Sequence, residues 1–176
     1  SQTRKPKEQR EAVMTVIQEL IDLDFICHIS TLPQEVQNFI AAAPIMHYYP
    51  WRIALKLDST STLVRIVVDP SMTGLNLILA KGENVLGKLT DIIIRNRLGK
   101  FGASTDIRKM YNQLRLETSE YPYSLFLYHP SMDADTNPEL YVLKSAWYGV
   151  SSTGNQADFA VAQLAEEAPQ ELCEAA

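Results

Sequence analysis

The segment Ser104-Thr-Asp106-Ile-Arg-Lys-Met-Tyr111-Asn-Gln-Leu-Arg115-Leu116 sets the architecture expected of this chain. It follows a glycine-punctuated apolar run, Leu98-Gly-Lys-Phe-Gly-Ala103. Together they predict a strand over Phe101–Asp106 that ends on a carboxylate, with an aromatic ring five positions later. Such a strand can present one acid to a cation and set a ring beside it. A lone Asp at a strand end is more often a cap or turn former. Its role therefore depends on the rest of the chain.

Upstream, Pro50-Trp-Arg-Ile-Ala-Leu-Lys-Leu-Asp58 and Leu63-Val-Arg-Ile-Val-Val-Asp69 predict two strands joined by the Ser59-Thr-Ser-Thr62 loop. Val64, Ile66 and Val68 share one face, and Arg65, Val67 and Asp69 share the other. A ribbon of this kind can reach out from a domain, with Lys56 and Arg65 near its base. Pro6 to Asp24 predicts an amphipathic helix with Val13, Val16, Ile17, Leu20 and Ile21 on its buried stripe. Leu32-Pro-Gln-Glu and Ala43-Pro44 bound a short apolar segment around Phe39-Ile40, whose structure the pattern leaves open. Asn84 to Arg97 predicts a helix with Val85, Leu86, Leu89, Ile92 and Ile93 on its apolar side, ended by Gly99.

Downstream, Tyr121–Tyr128 predicts an aromatic-rich strand pairing with Leu140–Ala146 across the acidic loop Asp133–Glu139. Gly149–Gly154 reads as a turn, followed by a helix from about Asn155 to Glu167. From Ala168 onward the chain is small, acidic and broken by Pro169, and no internal repeat is present.

The chain has 176 residues, is 46% hydrophobic and 21% charged, and carries a net charge of −5. That suits one core or two small lobes. The charge is unevenly placed, at +3 over residues 1–110 and −8 over 111–176. A phosphate-contacting face therefore belongs to the first two-thirds, if anywhere. The longest purely apolar runs, such as Ile92-Ile-Ile94, are too short to span a bilayer. The first residues lack the charged-then-apolar pattern of a secretory leader. Cys27 and Cys173 lie far apart with no metal-ligand spacing. The expectation is a cytoplasmic, reduced compartment and no membrane association.

Six stretches of residues stand in an order that resembles a reverse transcriptase, most closely the BEL/Pao class of retrotransposon polyproteins. They are Arg65-Ile-Val-Val-Asp69-Pro-Ser, the segment from Asp106 to Tyr111, Trp147-Tyr-Gly149-Val-Ser-Ser-Thr-Gly154-Asn, and the intervening Gly74-Leu-Asn-Leu, Lys81-Gly-Glu-Asn and Ile94-Arg-Asn-Arg97. The similarity spans roughly residues 48–165. It implies that Asp106 is a catalytic carboxylate binding Mg2+, and that Tyr111 packs under the sugar of an incoming deoxynucleoside triphosphate and excludes a 2′-hydroxyl. It implies further that Lys56 and Arg65 hold the β- and γ-phosphates. Arg suits that task because its planar fork can bond two oxygens at once, whereas Lys acts as a point charge. Tyr148 and Gly149 match the nucleotide and template contact motif, with Gln156 a further template contact.

The fold this implies is α+β: reverse-transcriptase-like fingers and a partial palm, an antiparallel sheet with packed helices. Residues 1–47 would form the N-terminal helical segment of the fingers, 48–98 the ribbon and helix of the fingers, and 99–176 the partial palm. The family takes two further acids from a Tyr-X-Asp-Asp hairpin, and no Asp-Asp pair occurs in this sequence. Asp133 and Asp135 read as a solvated loop rather than as substitutes. Only 27 residues follow Gly149.

The expected function is therefore that of a fragment of an RNA-directed DNA polymerase. Its complete parent would add nucleotides to a primer on an RNA or DNA template by two-metal chemistry. The remaining palm, thumb and ribonuclease H regions of the parent polyprotein would be its partners. The isolated chain is expected to be inactive. A catalytically dead module binding nucleic acid or protein, or a structural remnant, is the alternative.

Overall fold

The computed structural model describes residues 7–55, 64–83, 89–101, 105–131 and 136–167. Its centre is a three-stranded antiparallel sheet in the order β1-β5-β4, built from Ile26–His28 (β1), Leu125–Tyr128 (β4) and Glu139–Leu143 (β5). The register places Ile26 opposite Leu143 and Leu125 opposite Val142. Side-chain alternation gives this sheet two covered faces. Ile26, Phe126, Tyr128, Tyr141 and Leu143 face one cluster, whereas Cys27, Leu125 and Val142 face another.

The first face is covered by helix α1 (Lys7–Asp22), which contributes Val13, Ile17 and Leu20. It is also covered by a two-stranded ribbon, β2 (Trp51–Leu55) with β3 (Val64–Val68), paired Trp51 to Val68 through Leu55 to Val64. Val64, Ile66 and Val68 are buried and Arg65 is exposed, as the alternation predicts. The described part of the ribbon does not project outward. Its apolar face packs into the main core beside α1, because three buried aliphatic side chains would otherwise stand in water. The second face is covered by α2 (Gln34–Ala41), the segment whose structure the sequence left open, through Ile40.

The outer edge of β4 is not left open. Tyr49 N–H donates to Leu125 O (2.7 Å) and Leu125 N–H donates to His47 O (3.2 Å), so residues 47–49 run beside it. The Trp51 indole donates to Leu127 O at 2.8 Å and carries this lining into β2.

Three expectations are corrected. Tyr121 to Tyr123 belong to a 3₁₀ helix, Thr118–Tyr123, and not to a strand. Glu117 and Glu120 form a reciprocal capping box there, and Pro122 has no N–H for a strand ladder. Phe101, Thr105 and Asp106 are not in a strand. Among the described residues no strand pairs with Phe101, Thr105 or Asp106, and an unpaired strand leaves its backbone groups unsatisfied. Finally, α4 (Leu89–Leu98) forms where a helix was expected and stops just before Gly99, but none of its residues is buried. Leu89, Ile92 and Ile93 are all exposed. Val85 and Leu86 lie outside the described residues.

The helix expected near Asn155 begins slightly earlier, as α5 (Thr153–Glu166). Among the described residues no helix is long and apolar enough to cross a membrane.

Candidate functional site at the Tyr111 and Tyr148 rings

Two of the stretches singled out in the sequence meet in space. Tyr111 lies in a 3₁₀ turn, Met110–Gln113, and its ring centroid is 4.5 Å from that of Tyr148, tilted by 58°. Tyr111 is half-buried and Tyr148 is exposed. The 3₁₀ turn is held from below by Asn112, a buried amide that donates to Ala146 O at 3.1 Å. The residues that follow run beside the continuation of β5: Leu116 N–H donates to Lys144 O, and Ala146 N–H donates to Leu114 O. These bonds fix the base of Tyr111 to the segment that carries Tyr148.

Tyr148 is raised by its neighbours on both sides. Trp147 is buried in the main core, so the next side chain emerges at the surface. Gly149 then turns the chain at φ +104°. Only glycine serves there, because a Cβ would overlap the carbonyl oxygen of Val68 at the end of β3. A close backbone approach at Gly149 was expected towards a base or sugar. The approach in the fold is to the chain's own β3.

A residue the sequence reading missed completes the turn. The Asn76 side chain, on the short helix α3 (Leu75–Ile78), donates to Gly149 O at 2.8 Å and accepts from Ser151 N–H at 2.9 Å. Gly74-Leu-Asn-Leu was quoted from the sequence only for its order in the chain. Nothing local marks its Asn as a partner of residues 73 to 75 positions away. Asn155 makes a second tie, donating to Lys81 O at 2.7 Å.

The other expected site residues are scattered. Arg65 is exposed on β3, opposite Ala54. Lys56 lies outside the described residues, as do Asp133 and Asp135. Gln156 is exposed on the first turn of α5, where it also lines a cavity of about 430 Å³ with Leu75, Leu143, Trp147, Val150 and Thr153. Asp106 is exposed and lies outside any strand. The loop after it is tied to α1, where Glu19 Oε1 receives Arg108 at 3.3 Å and Lys109 at 3.2 Å.

Among the described residues no group of three or more His, Cys, Asp or Glu side chains is placed to hold a metal ion. Octahedral Mg2+ needs several well-placed oxygens, and a two-metal site needs carboxylates shared between ions about 3.5–4 Å apart. One exposed carboxylate does not meet that requirement. No metal-dependent step is therefore derived from these residues.

No protein-family model matches this chain, and no curated protein matches it.

Proposed function

We propose that this chain is the fingers and partial palm of a retrotransposon reverse transcriptase resembling the BEL/Pao class, and that its part is to bind nucleotide and template. The observation that carries this reading is the Tyr111–Tyr148 contact. Two aromatic residues 37 positions apart, each picked out by a different stretch of the resemblance, form one ring pair with an exposed side. A base or sugar can stack against such a surface, because every nucleotide offers an apolar or π face. The β2–β3 ribbon supports the same reading by presenting Arg65 to solvent, free to meet a phosphate.

On this reading the described residues bind and orient, and the chemistry belongs to a complete parent. There the resemblance would place Asp106 beside the acids of a Tyr-X-Asp-Asp hairpin as Mg2+ ligands, and attack of a primer 3′-hydroxyl on the α-phosphate would release pyrophosphate. The isolated chain then does not extend a primer. The exposed position of Asp106, outside any strand, favours a second reading, a binding module without catalysis.

Two experiments separate them. In a complete parent, Asp106→Asn abolishes primer extension and leaves primer-template binding nearly intact. Full extension by that variant refutes the assigned role. For the chain itself, affinity for a primer-template duplex falls as salt rises, because phosphate contacts release counterions. A flat salt response removes nucleic-acid binding through the basic front from both readings.

A further inference from the structure

We propose that Asn76 is a positioning residue whose side-chain amide clamps the Gly149–Ser151 turn and so holds the Tyr148 ring on Tyr111. A planar amide offers one donor and one acceptor along a single edge. Gly149 O and Ser151 N–H present the complementary pair, two residues apart, as a strand edge would. Asn76 fills both, at 2.8 and 2.9 Å. Only one orientation of the amide works, since the reverse would set N–H against N–H and oxygen against oxygen.

The clamp acts on the turn and not on the core. Gly149 is exposed and Ser151 half-buried, so the turn lies at the surface and not in the core. Trp147 stays buried without Asn76, whereas Gly149 is held both by its approach to Val68 and by the amide. What the amide removes is the freedom of the residues that follow Trp147. Tyr148, the exposed member of the ring pair, is the side chain that this freedom moves. Asn155 ties the far end of the same strap, through Lys81 O, outside the turn itself. The two asparagines thus have separable effects. The consequence for nucleotide binding rests on the function proposed above. The clamp itself does not.

The test uses the full chain and proton NMR. In the wild-type chain, strong cross-relaxation between the Tyr111 and Tyr148 rings is expected, with slow solvent exchange at Ser151 N–H and at the Asn76 amide. Asn76→Ala abolishes the Tyr111–Tyr148 signal and retains that between Trp51 and Tyr128, whose centroids are 6.0 Å apart in the core. Asn76→Asp keeps an acceptor for Ser151 but sets an anion against Gly149 O, and behaves as the alanine variant does. Asn155→Ala leaves the ring signal in place.

The proposal is overturned if the ring signal survives Asn76→Ala. It is equally overturned if both ring pairs are lost together, which makes Asn76 an ordinary fold residue. Should Asn76→Ala not fold, fast exchange of Ser151 N–H in the wild-type chain overturns it instead. Titration with thymidine triphosphate separates this from the functional reading. If wild-type tyrosine signals do not respond to nucleotide, the polymerase reading fails and the clamp stands. If they respond, Asn76→Ala weakens the binding about tenfold, the lower end of the loss expected when a base-stacking ring is displaced.

Discussion

The central sheet and the segment from α4 to the Asp106 loop both carry large apolar side chains and meet opposite fates. In the sheet, Leu125 and Val142 are completely buried, and every aromatic ring of β4 and β5 touches another ring or the main cluster. In the other segment Leu89, Ile92, Ile93, Ile94, Leu98 and Phe101 are all exposed. Local pattern raised the same expectation in both, namely that one side of an element would be covered. Only the sheet has a partner on each face among the described residues, α1 with the ribbon on one side and α2 on the other. Periodicity shows which side of an element is apolar. It does not supply the surface that covers it.

The contrast can be broken by truncating the same kind of side chain on both sides. Leu125→Ala leaves a cavity in a site with no exposure, and the expected cost is about 3 kcal/mol in denaturant unfolding. A loss below roughly 1 kcal/mol would mean that the sheet collapses around the hole and is less tightly packed than described. Gly149→Ala sits next in size. A side chain there is strained by the positive φ and meets the Val68 carbonyl, so a loss of about 2 kcal/mol is expected, together with displacement of the Tyr148 ring. An unchanged melting temperature would show that the turn does not rest on β3.

Titration sharpens the same distinction. Burial pushes the Tyr49 hydroxyl from 10.0 up to about 12, and Glu120 adds to the effect. Burial, with Tyr141 adding, does the same to Tyr128. The unfolded chain loses these protons near 10 and the folded chain near 12, so stability is intact below pH 10 and falls as pH rises between the two. Tyr128→Phe should flatten that alkaline limb in a pH series of thermal melts, and an unchanged slope would contradict the burial. The smallest effect is expected at Ile93→Ala on α4, under about 0.5 kcal/mol because the side chain already faces solvent. A cost comparable to that of Leu125→Ala would reveal a partner for α4 that the described residues do not supply.

What could be read from the sequence follows the same division. The shared face of Val64, Ile66 and Val68, the stripe of α1 and the pairing of β4 with β5 were legible, because each repeats its period beside a partner of matching length. Strand β1 was missed, since Ile26-Cys-His is too short to show an alternation. α2 was left open because eight residues between two prolines carry barely two turns of pattern. The strand expected to end on Asp106 rested on local composition, and no described strand pairs with Phe101, Thr105 or Asp106. At the candidate site, Tyr111, Tyr148 and Gly149 were legible as residue types in order. Asn76 was not, because its work depends on a backbone approach more than 70 residues away.

The claim on which the functional account turns is that Tyr111 and Tyr148 form one nucleotide-facing surface. The direct measurement is a two-dimensional NMR titration of the chain with a deoxynucleoside triphosphate at low salt, following each tyrosine ring. The account predicts that Tyr111 and Tyr148 shift together and saturate together, while the buried rings of Tyr121 and Tyr141 stay in place. Shifts at neither ring, or equal shifts at all four, would contradict it.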